Sequence, residues 1–409
     1  MASAAGSQMK PSCVYCGDAP VNHAIQYIDA SLDITLGAVL PNFNTARSRF
    51  WQLHTSPTIL LLARFLVQLL LLTRIMRVSH ILAGTASKRT QVIWDEAKKR
   101  GIEVQQLIVL WKRGDDCRAR LPRKPGAMRT RWHYFQSIPV PPWLPQLENS
   151  WVDDKDAFKK EFQSQGLRVA RGNWVASERG ALRVFRKIAG PVIVKPRAGS
   201  RARHTSVNIT SETELLQAFK RARQLCAFVM IEEYIPGDTY RAICVDGKLR
   251  GVMRFVKASI IADGVGSCTE LLDAYNVGQR FPDVENTKDD AWFSDALAHQ
   301  GYTPNSIPPV GTRVLLAEHS ERANGGYNLD ITDEIPEVTV REIERGAGAT
   351  GLPVVGFDLI SKDLTDASLP FTFIEGNSLP FIDIHHAPSE GQPRDIAGAV
   401  WDMWFPVLD

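Results

Sequence analysis

The sequence predicts an α+β fold, and three features of the chain support this prediction. After Trp151, short apolar runs alternate with amphipathic patterns of helical period. Asp246-Gly247 separates two strand-like runs, and this dipeptide is a strong signal for a tight β-hairpin. Helices and strands in this mixed order are typical of an α+β domain with two lobes around a cleft.

Length and composition indicate a globular protein of two or three domains. The chain has 409 residues, of which 44% are hydrophobic and 23% are charged. Its formal net charge of +3 is small for this size, so we expect no nucleic-acid partner. Six cysteines in so long a chain do not suggest a disulfide framework, and we therefore expect a reducing compartment, the cytoplasm.

The most apolar stretch of the chain covers residues 59–76. Arg64, Gln68 and Arg74 interrupt it, so it is marginal against the roughly 20 apolar residues that a membrane-spanning helix needs. Three alternatives stay open: a helix buried in the protein or between subunits, a helix on a membrane surface or in a groove, and a true span. We therefore allow a peripheral contact with a membrane or a protein through 59–76, and we expect a homo-oligomer.

Cys13 and Cys16, with His23 downstream, form half of a zinc-binding pattern. A structural zinc site needs four ligands in a closed tetrahedron, and no second cysteine or histidine pair follows nearby at the usual spacing. The alternative is that the two cysteines are ordinary thiols of the N-terminal segment. Both interpretations stay open at this point.

The chain is predicted to contain three parts: an N-terminal segment with the apolar helix (1–76), a small α/β domain (77–150) and a larger domain (151–409). Within the second part, apolar runs at 80–84 and 104–111 flank a helical pattern at 87–100, and Gly101 ends that helix. This order indicates a β-α-β unit. The proline-rich stretch 139–145 then stops regular structure and marks the next boundary.

The patterns of the larger domain predict a series of helices and strands. The predicted helices are 154–166, 177–188 and 212–224. The predicted strands are 167–175, 191–195, 228–237, 241–245 and 249–256, with two further apolar runs that end at Asp358 and Asn377.

Lys195 ends a buried-type strand, and a basic loop, 198–204, follows it. A lysine in this position could place its ammonium on the phosphates of a nucleotide. Backbone amides and arginines of the loop would suit the same anion, although the loop has only one glycine. The alternative is a solvated lysine followed by a basic surface loop.

Three oxygen donors end two apolar runs near the C-terminus. Residues two apart in a strand point to the same face, so Glu375 and Asn377 can present two oxygens side by side. Asp358 would arrive from a neighbouring strand. Such oxygens, completed by phosphate oxygens, suit Mg²⁺. The alternative is a structural ion pair with an arginine.

Further motifs of the larger domain resemble those of a known family. In order they are Lys195-Pro196, 231–237, Tyr240-Arg241, 246–248, Arg254, Asp263-Gly264, 270–272, Asn276, 323–326, 330–333, 356–358, 375–377 and 385–394. Together they resemble the ATP-grasp module of cyanophycin synthetase over about residues 154–405. The resemblance implies an ATP-grasp fold, with two α+β lobes around a nucleotide cleft, preceded by a small α/β pre-ATP-grasp domain and an N-terminal helical segment.

The resemblance also implies roles for individual residues of this chain. ATP would be bound by Lys195, Ser200, Glu232, Glu233, Tyr234, Ile235, Asp238 and Thr239. Mg²⁺ would be held by Asp358, Glu375 and Asn377. The catalytic groups near the transferred phosphoryl would be Arg254, Lys257, Arg322, Gly325 and Gly326. The substrate side would be lined by Arg241, His385 and Arg394.

The activity implied by the resemblance is that of an ADP-forming carboxylate–amine ligase. It would use ATP and Mg²⁺ to form an amide through an acyl phosphate, on amino acid or peptide substrates. Cyanophycin synthetase has a second, Mur-ligase-like module that this sequence lacks, so polymerisation is not implied. Two alternatives stay open: a nucleotide-binding scaffold without ligase activity, and a kinase of the same fold.

Overall fold

The structure is a computed structural model that describes residues 13–16, 21–39, 57–109, 112–121, 132–141, 150–199, 203–278, 291–317 and 325–404. Contacts divide the chain into two units, each assembled from segments far apart in sequence. Unit 1 comprises Met1–Thr35, Ala170–Pro236 and Phe255–Tyr327, and unit 2 comprises Leu36–Val169, Gly237–Arg254 and Asn328–Asp409. The predicted domain boundaries at 76 and 150 stay predictions.

The described residues form helices and strands throughout both units. The helices are α1 His23–Val39, α2 Pro57–Leu72, α3 Lys88–Lys99, α4 Lys155–Ser164, α5 Glu178–Ile188, α6 Glu212–Arg223, α7 Cys268–Val277, α8 Ala291–His299, α9 Glu337–Thr350, α10 Asp383–His386 and α11 Ile396–Asp402. The strands are β1 Met76–Ser79, β2 Glu103–Val109, β3 Lys112–Arg120, β4 His133–Gln136, β5 Gly172–Val175, β6 Val192–Pro196, β7 Ser206–Ile209, β8 Val229–Glu233, β9 Asp238–Val245, β10 Lys248–Val256, β11 Ser259–Ile261, β12 Arg313–Leu315, β13 Tyr327–Asp330, β14 Val354–Ser361 and β15 Phe371–Asn377. Short 3₁₀ helices cover Val14–Cys16, Ser150–Asp153 and Thr332–Glu334.

The strands form four sheets. Unit 1 contains the sheet β5-β8-β6-β7 and the pair β11-β12. Unit 2 contains the sheet β1-β2-β3-β4 and the sheet β13-β10-β9-β14-β15. Every pairing whose register is described is antiparallel. Helices combined with antiparallel sheets confirm the predicted α+β class.

In unit 1, α5 and α6 pack on the four-stranded sheet. Val194 and Ile231 from the strands and Phe219 from α6 are buried in one apolar cluster. The start of α6 is fixed by a capping box, in which Ser211 accepts a hydrogen bond from the Glu214 backbone and Glu214 accepts one from the Ser211 backbone. The predicted helices 177–188 and 212–224 are thereby confirmed to within one residue at each end.

In unit 2, α4 packs on the five-stranded sheet through aromatic side chains. Asp154 caps the helix by accepting hydrogen bonds from two backbone amides of its first turn. Phe158 and Phe162, one turn apart, lie with their ring centroids 4.0 Å apart, and Phe162 meets Phe373 edge-on at 5.0 Å. Phe357 of the neighbouring strand joins the same buried cluster.

The predicted hairpin is confirmed. Strands β9 and β10 are neighbours in the sheet, and Asp246 and Gly247 connect them with φ of 53° and 70°. Two consecutive residues with positive φ define the tight turn that an Asp-Gly pair favours. The first strand begins at Asp238, three residues before the predicted start at Arg241.

The β-α-β prediction for the second segment is wrong in two respects, although its helix, α3, is confirmed. The first strand lies at Met76–Ser79 instead of 80–84, and it pairs antiparallel with β2. Burial explains the shift, because Met76 packs with Val67 and Leu107 in a buried cluster, whereas Ile81 is 77% exposed.

The apolar stretch 59–76 forms most of α2 and continues into β1. Val67 of this helix is buried against β1 and β2, while Phe65, Leu66, Leu69 and Leu72 are exposed. Among the described residues, no helix combines the length and the apolar character needed to cross a bilayer.

Gly172 on β5 has no room for a side chain against the backbone of β8, and it supports a stability prediction. A Cβ at Gly172 would lie 2.2 Å from the Ile231 carbonyl oxygen, on a residue with φ of 155°. We expect Gly172→Ala to lower the free energy of unfolding by about 1–3 kcal/mol, as measured by urea denaturation. Gly190→Ala is the matched control, because a Cβ there meets nothing within 4 Å. Equal stability of the two variants would contradict this account.

Candidate functional site

Two residues predicted to bind ATP contact each other in unit 1. Lys195 lies on β6 and Glu232 on the adjacent strand β8, and the Lys195 Nζ is 2.8 Å from a Glu232 carboxylate oxygen. The side chains are only 9% and 2% exposed. Buried charges are stable only when they are paired, so each residue holds the other in its ionised form.

The segment after Glu232 is held by backbone and side-chain hydrogen bonds. Glu233 accepts hydrogen bonds from the backbone and the guanidinium of Arg171. The backbone N–H of Tyr234 donates to the Pro191 carbonyl at 2.8 Å. Ile235 follows directly and ends the predicted adenine-facing segment. The course of 232–235 is therefore fixed at several points.

In unit 2, the sheet register brings three charged residues into one row. Asp358 on β14 lies directly opposite Arg241 on β9 and directly opposite Glu375 on β15. Directly opposite residues of antiparallel strands project on the same face. The Arg241 guanidinium binds both carboxylate oxygens of Asp358, and the Lys155 Nζ lies 3.3 Å from a carboxylate oxygen of Glu375. Asn377 lies two residues beyond Glu375, opposite Gly356.

The carboxyl pair fits a divalent cation. Burial raises the pKa of Asp358 to about 6; the Arg241 guanidinium opposes this shift, and Glu375 adds to it by its charge and a hydrogen bond. Because Glu375 raises the pKa of Asp358, a further cation beside this carboxyl pair would favour its ionised form. The amide nitrogen of Asn377 is buried without a hydrogen-bond partner among the described residues. Two carboxylates and one amide oxygen are the donor set that Mg²⁺ takes.

Arg254 and Asp238 come from different predicted groups, catalytic and ATP-binding, yet they form an ion pair in unit 2. The Arg254 Nε donates to an Asp238 carboxylate oxygen at 2.9 Å, and the two side chains are 39% and 35% exposed. Thr239 follows Asp238 on β9, opposite Ile360. The guanidinium keeps a partly exposed surface while one carboxylate holds its orientation.

The predicted substrate residues Arg394 and His385 also lie in unit 2. Arg394 donates to Asp330 at 3.0 Å from its Nε and to Asp333 at 3.0 Å from another guanidinium nitrogen. His385 is fully buried, and neither ring nitrogen has a partner among the described residues. Burial, reinforced by the charges of Arg241 and two other basic residues, lowers the pKa of His385 to about 3. His385 is therefore neutral at physiological pH.

The remaining predicted residues divide between unit 1 and the undescribed ranges. Gly325 has φ of 76°, and its carbonyl accepts a 2.6 Å hydrogen bond from the Tyr275 hydroxyl. Gly326 follows it and is buried. Lys257 lies between β10 and β11. Ser200 and Arg322 lie outside the described residues.

The ion-pair partners of two predicted site residues, Glu375 and Arg394, were not predicted from the sequence. Lys155 stands at the start of α4 and reaches Glu375, and Asp330 with Asp333 binds Arg394. Asp330 and Asp333 belong to the motif 330–333, for which no role was predicted. No sequence signal pointed to Lys155, because its contact with Glu375 depends on how α4 packs on β15.

Comparison with known proteins gives sequence relatives for this chain, although no family model matches it. It is 32% identical over 261 residues to the cyanophycin synthetase of Nostoc sp. (strain PCC 7120). The aligned region covers 62% of this chain and 29% of that protein. It is 28% identical over 269 residues to the glutathione biosynthesis bifunctional protein GshAB of Streptococcus agalactiae. That alignment covers 62% of this chain and 36% of that protein. The predicted resemblance to cyanophycin synthetase is thereby confirmed.

Among solved structures, a bifunctional glutathione synthetase from Pasteurella multocida aligns with a TM-score of 0.48 and 23% identity, over 78% of this chain and 44% of that one. The present chain spans about a third of the length of the curated relatives it matches, between 29% and 36%.

The Lys195–Glu232 pair supports a second stability prediction. We expect Lys195→Met to lower the free energy of unfolding by about 3–5 kcal/mol, because it removes the ammonium that pairs with the buried Glu232 carboxylate. Adding Glu232→Leu should restore most of that loss, since both charges of the pair are then absent. Thermal and urea unfolding measure both effects.

Arg186→Met is the control, because the Arg186–Glu212 pair of the same unit is exposed, and little change is expected there. A double variant no more stable than Lys195→Met would show that the buried ion pair is not the source of the loss.

Proposed function

We propose that this chain, which resembles cyanophycin synthetase over 62% of its length, is an ATP-dependent carboxylate–amine ligase that releases ADP. One observation carries the proposal: the register of three strands sets Asp358 directly beside Glu375, with Asn377 two residues further on. The sequence similarity to two kinds of biosynthetic enzyme supports it.

ATP is bound, in this proposal, by Lys195 through its phosphates and by 232–235 through its adenine. The buried pair with Glu232 keeps the Lys195 ammonium charged and directed. Ser200 adds a phosphate contact, and Asp238 and Thr239 supply the ribose contacts.

Mg²⁺ is held by Asp358, Glu375 and Asn377. When bound, the ion neutralises phosphate charge and orients the transferred phosphoryl group. Arg241 and Lys155 contact the two carboxylates directly, and they therefore fix the carboxylate orientation that a cation would meet.

The transferred phosphoryl group is stabilised by positive charge and backbone amides. Arg254, Lys257 and Arg322 supply the charge, and the amides at Gly325 and Gly326 supply hydrogen bonds. On the acceptor side, the guanidinium groups of Arg241 and Arg394 and the neutral ring of His385 orient the substrate.

The proposed reaction consists of two successive displacements, and atoms and charge balance in each. A substrate carboxylate oxygen attacks the γ-phosphorus of ATP, the bond to ADP breaks, and an acyl phosphate forms. The nitrogen of an amine then attacks the acyl carbon, the carbon–oxygen bond to phosphate breaks, and the amine proton leaves with phosphate or to solvent. The substrates we propose are amino acids or peptides, in keeping with relatives named for cyanophycin and glutathione synthesis.

The products distinguish this proposal from other ATP chemistry. We expect ADP and phosphate in equal amounts, with release that depends on an added amine, when the chain is screened by mass spectrometry against amino acids and dipeptides. Formation of AMP and pyrophosphate would contradict the acyl-phosphate route. A phosphorylated acid that accumulates even with amines present would indicate a kinase, and nucleotide binding without turnover would indicate a scaffold.

Glu375→Gln tests the cation site. We expect the turnover number to fall by more than about 100-fold, since changing a residue that only supports a metal ligand already costs roughly 10- to 100-fold. The fold should be retained, because glutamine keeps the size and one oxygen of the side chain; circular dichroism and thermal unfolding check this.

Glu337→Gln is the matched control in the same unit, because Glu337 is 82% exposed and its ion pair, with Arg341 one turn away, lies at the surface. It should turn over at the parent rate. A Glu375→Gln variant that keeps near-parent turnover would remove Glu375 from the cation site.

A further inference from the structure

A second group of potential ligands lies in unit 1, and none of its members is among the individual ATP, Mg²⁺, catalytic or substrate residues named above. It consists of Cys13, Cys16, His23 and His204, and their sulfur and ring-nitrogen atoms all lie within 4.8 Å of one another. The first three are the residues of the incomplete zinc pattern in the sequence. The fourth lies 188 residues after Cys16, at the end of the loop that sequence reasoning assigned to phosphate binding.

Three of the six distances within this cluster are close to those of tetrahedral coordination. The Cys16 sulfur is 3.3 Å from the His23 Nε2 and 3.5 Å from the His204 Nε2, and the Cys13 sulfur is 3.4 Å from the His204 Nε2. Zinc–sulfur bonds of about 2.3 Å and zinc–nitrogen bonds of about 2.0–2.1 Å, at tetrahedral angles, put sulfur and nitrogen about 3.6 Å apart. These three distances are therefore close to those of ligands around one shared ion, and all the remaining pairs lie within 4.8 Å.

The His204 ring is held in the orientation that a metal ligand needs. Its Nδ1 donates a 2.8 Å hydrogen bond to the Arg221 carbonyl, which leaves the Nε2 lone pair directed at the two sulfurs. An outer hydrogen bond of this kind fixes the tautomer of most metal-binding histidines. The ring is fully buried, and Cys16 is 2% exposed.

Direct contacts hold the N-terminal turn of the cluster against the backbone at His204. His204 adopts φ of 54°, and its N–H donates to the Tyr15 carbonyl at 3.0 Å. The Arg221 guanidinium lies 3.9 Å from the centre of the Tyr15 ring. The 3₁₀ turn Val14–Cys16 therefore rests on the same part of unit 1 that supplies the fourth ligand.

We propose that Cys13, Cys16, His23 and His204 bind one structural zinc ion, which ties the N-terminal part of unit 1 to the residues just before β7. Two cysteine thiols lose their protons on binding, and two thiolates with two neutral imidazoles leave a Zn²⁺ site without net charge. A neutral site suits this buried position. All four positions are filled by protein, as in structural sites; catalytic sites leave one position open.

Metal content of the full chain tests the proposal directly. Protein produced with zinc in the medium and purified without chelator should contain about one zinc ion per chain by inductively coupled plasma mass spectrometry. Cys16→Ser and His204→Asn should each lose the zinc. The loss in His204→Asn is the sharper result, because the sequence pattern by itself does not include His204.

Cys226→Ser is the matched control. Cys226 is a buried free thiol of the same unit, outside the cluster, so this variant should keep its zinc. Zinc retained by Cys16→Ser or by His204→Asn would overturn the assignment, and so would zinc lost equally by Cys226→Ser.

Two measurements on the unmodified chain cover the case in which a variant does not fold. Chelation should make about two more thiols per chain reactive to a disulfide reagent under native conditions, because the ion shields Cys13 and Cys16. Cobalt added to the chelated protein should give the visible spectrum of tetrahedral thiolate coordination, and zinc should abolish it. No increase in reactive thiols, or no such spectrum, would overturn the proposal. None of these readouts depends on ATP, so their outcome is independent of the proposed ligase activity.

Discussion

The pairing of β14 with β9 on one side and β15 on the other is the constraint on which the candidate site depends. It places Asp358 between Arg241 and Glu375 in a single row across three strands. A slip of one residue in either pairing would turn the side chains of one strand to the opposite face and separate the row. The register of the β14–β15 pairing shifts between Asp358 and Leu359, directly beside this row.

This row explains how acidic residues can be buried in the sheet without losing their charge. An isolated carboxylate in such surroundings takes up a proton, and burial does raise the pKa of Asp358 to about 6. Arg241 opposes the shift from one side of the row, and Lys155 contacts Glu375 at the other side. The protein thus supplies two cations to two carboxylates from fixed positions, and a divalent ion bound by the same oxygens would face carboxylates that are already oriented.

Local signals predicted much of the fold. The Asp246-Gly247 hairpin was predictable, because two positive φ values demand residues of this kind. That Asp358 lies on a strand beside Glu375 followed from two apolar runs, but the register that sets them opposite each other did not. Non-local packing defeated the prediction elsewhere. The apolar run at 80–84 predicted a strand, while the actual strand is fixed by the contact of Met76 with Val67 of the preceding helix and Leu107 of β2.

His204 shows how one residue outside a sequence pattern can connect two parts of a structure. Through His204, a metal at the N-terminal cluster would fix the residue that begins the approach to β7. On that strand, Ser206 pairs with Val194 of β6, the residue directly before Lys195. Since adjacent strands share a hydrogen-bonded backbone, an ion that fixes one end of β7 also restricts β6, the strand that carries Lys195. The proposed zinc ligands and the predicted phosphate lysine therefore belong to one continuous piece of unit 1.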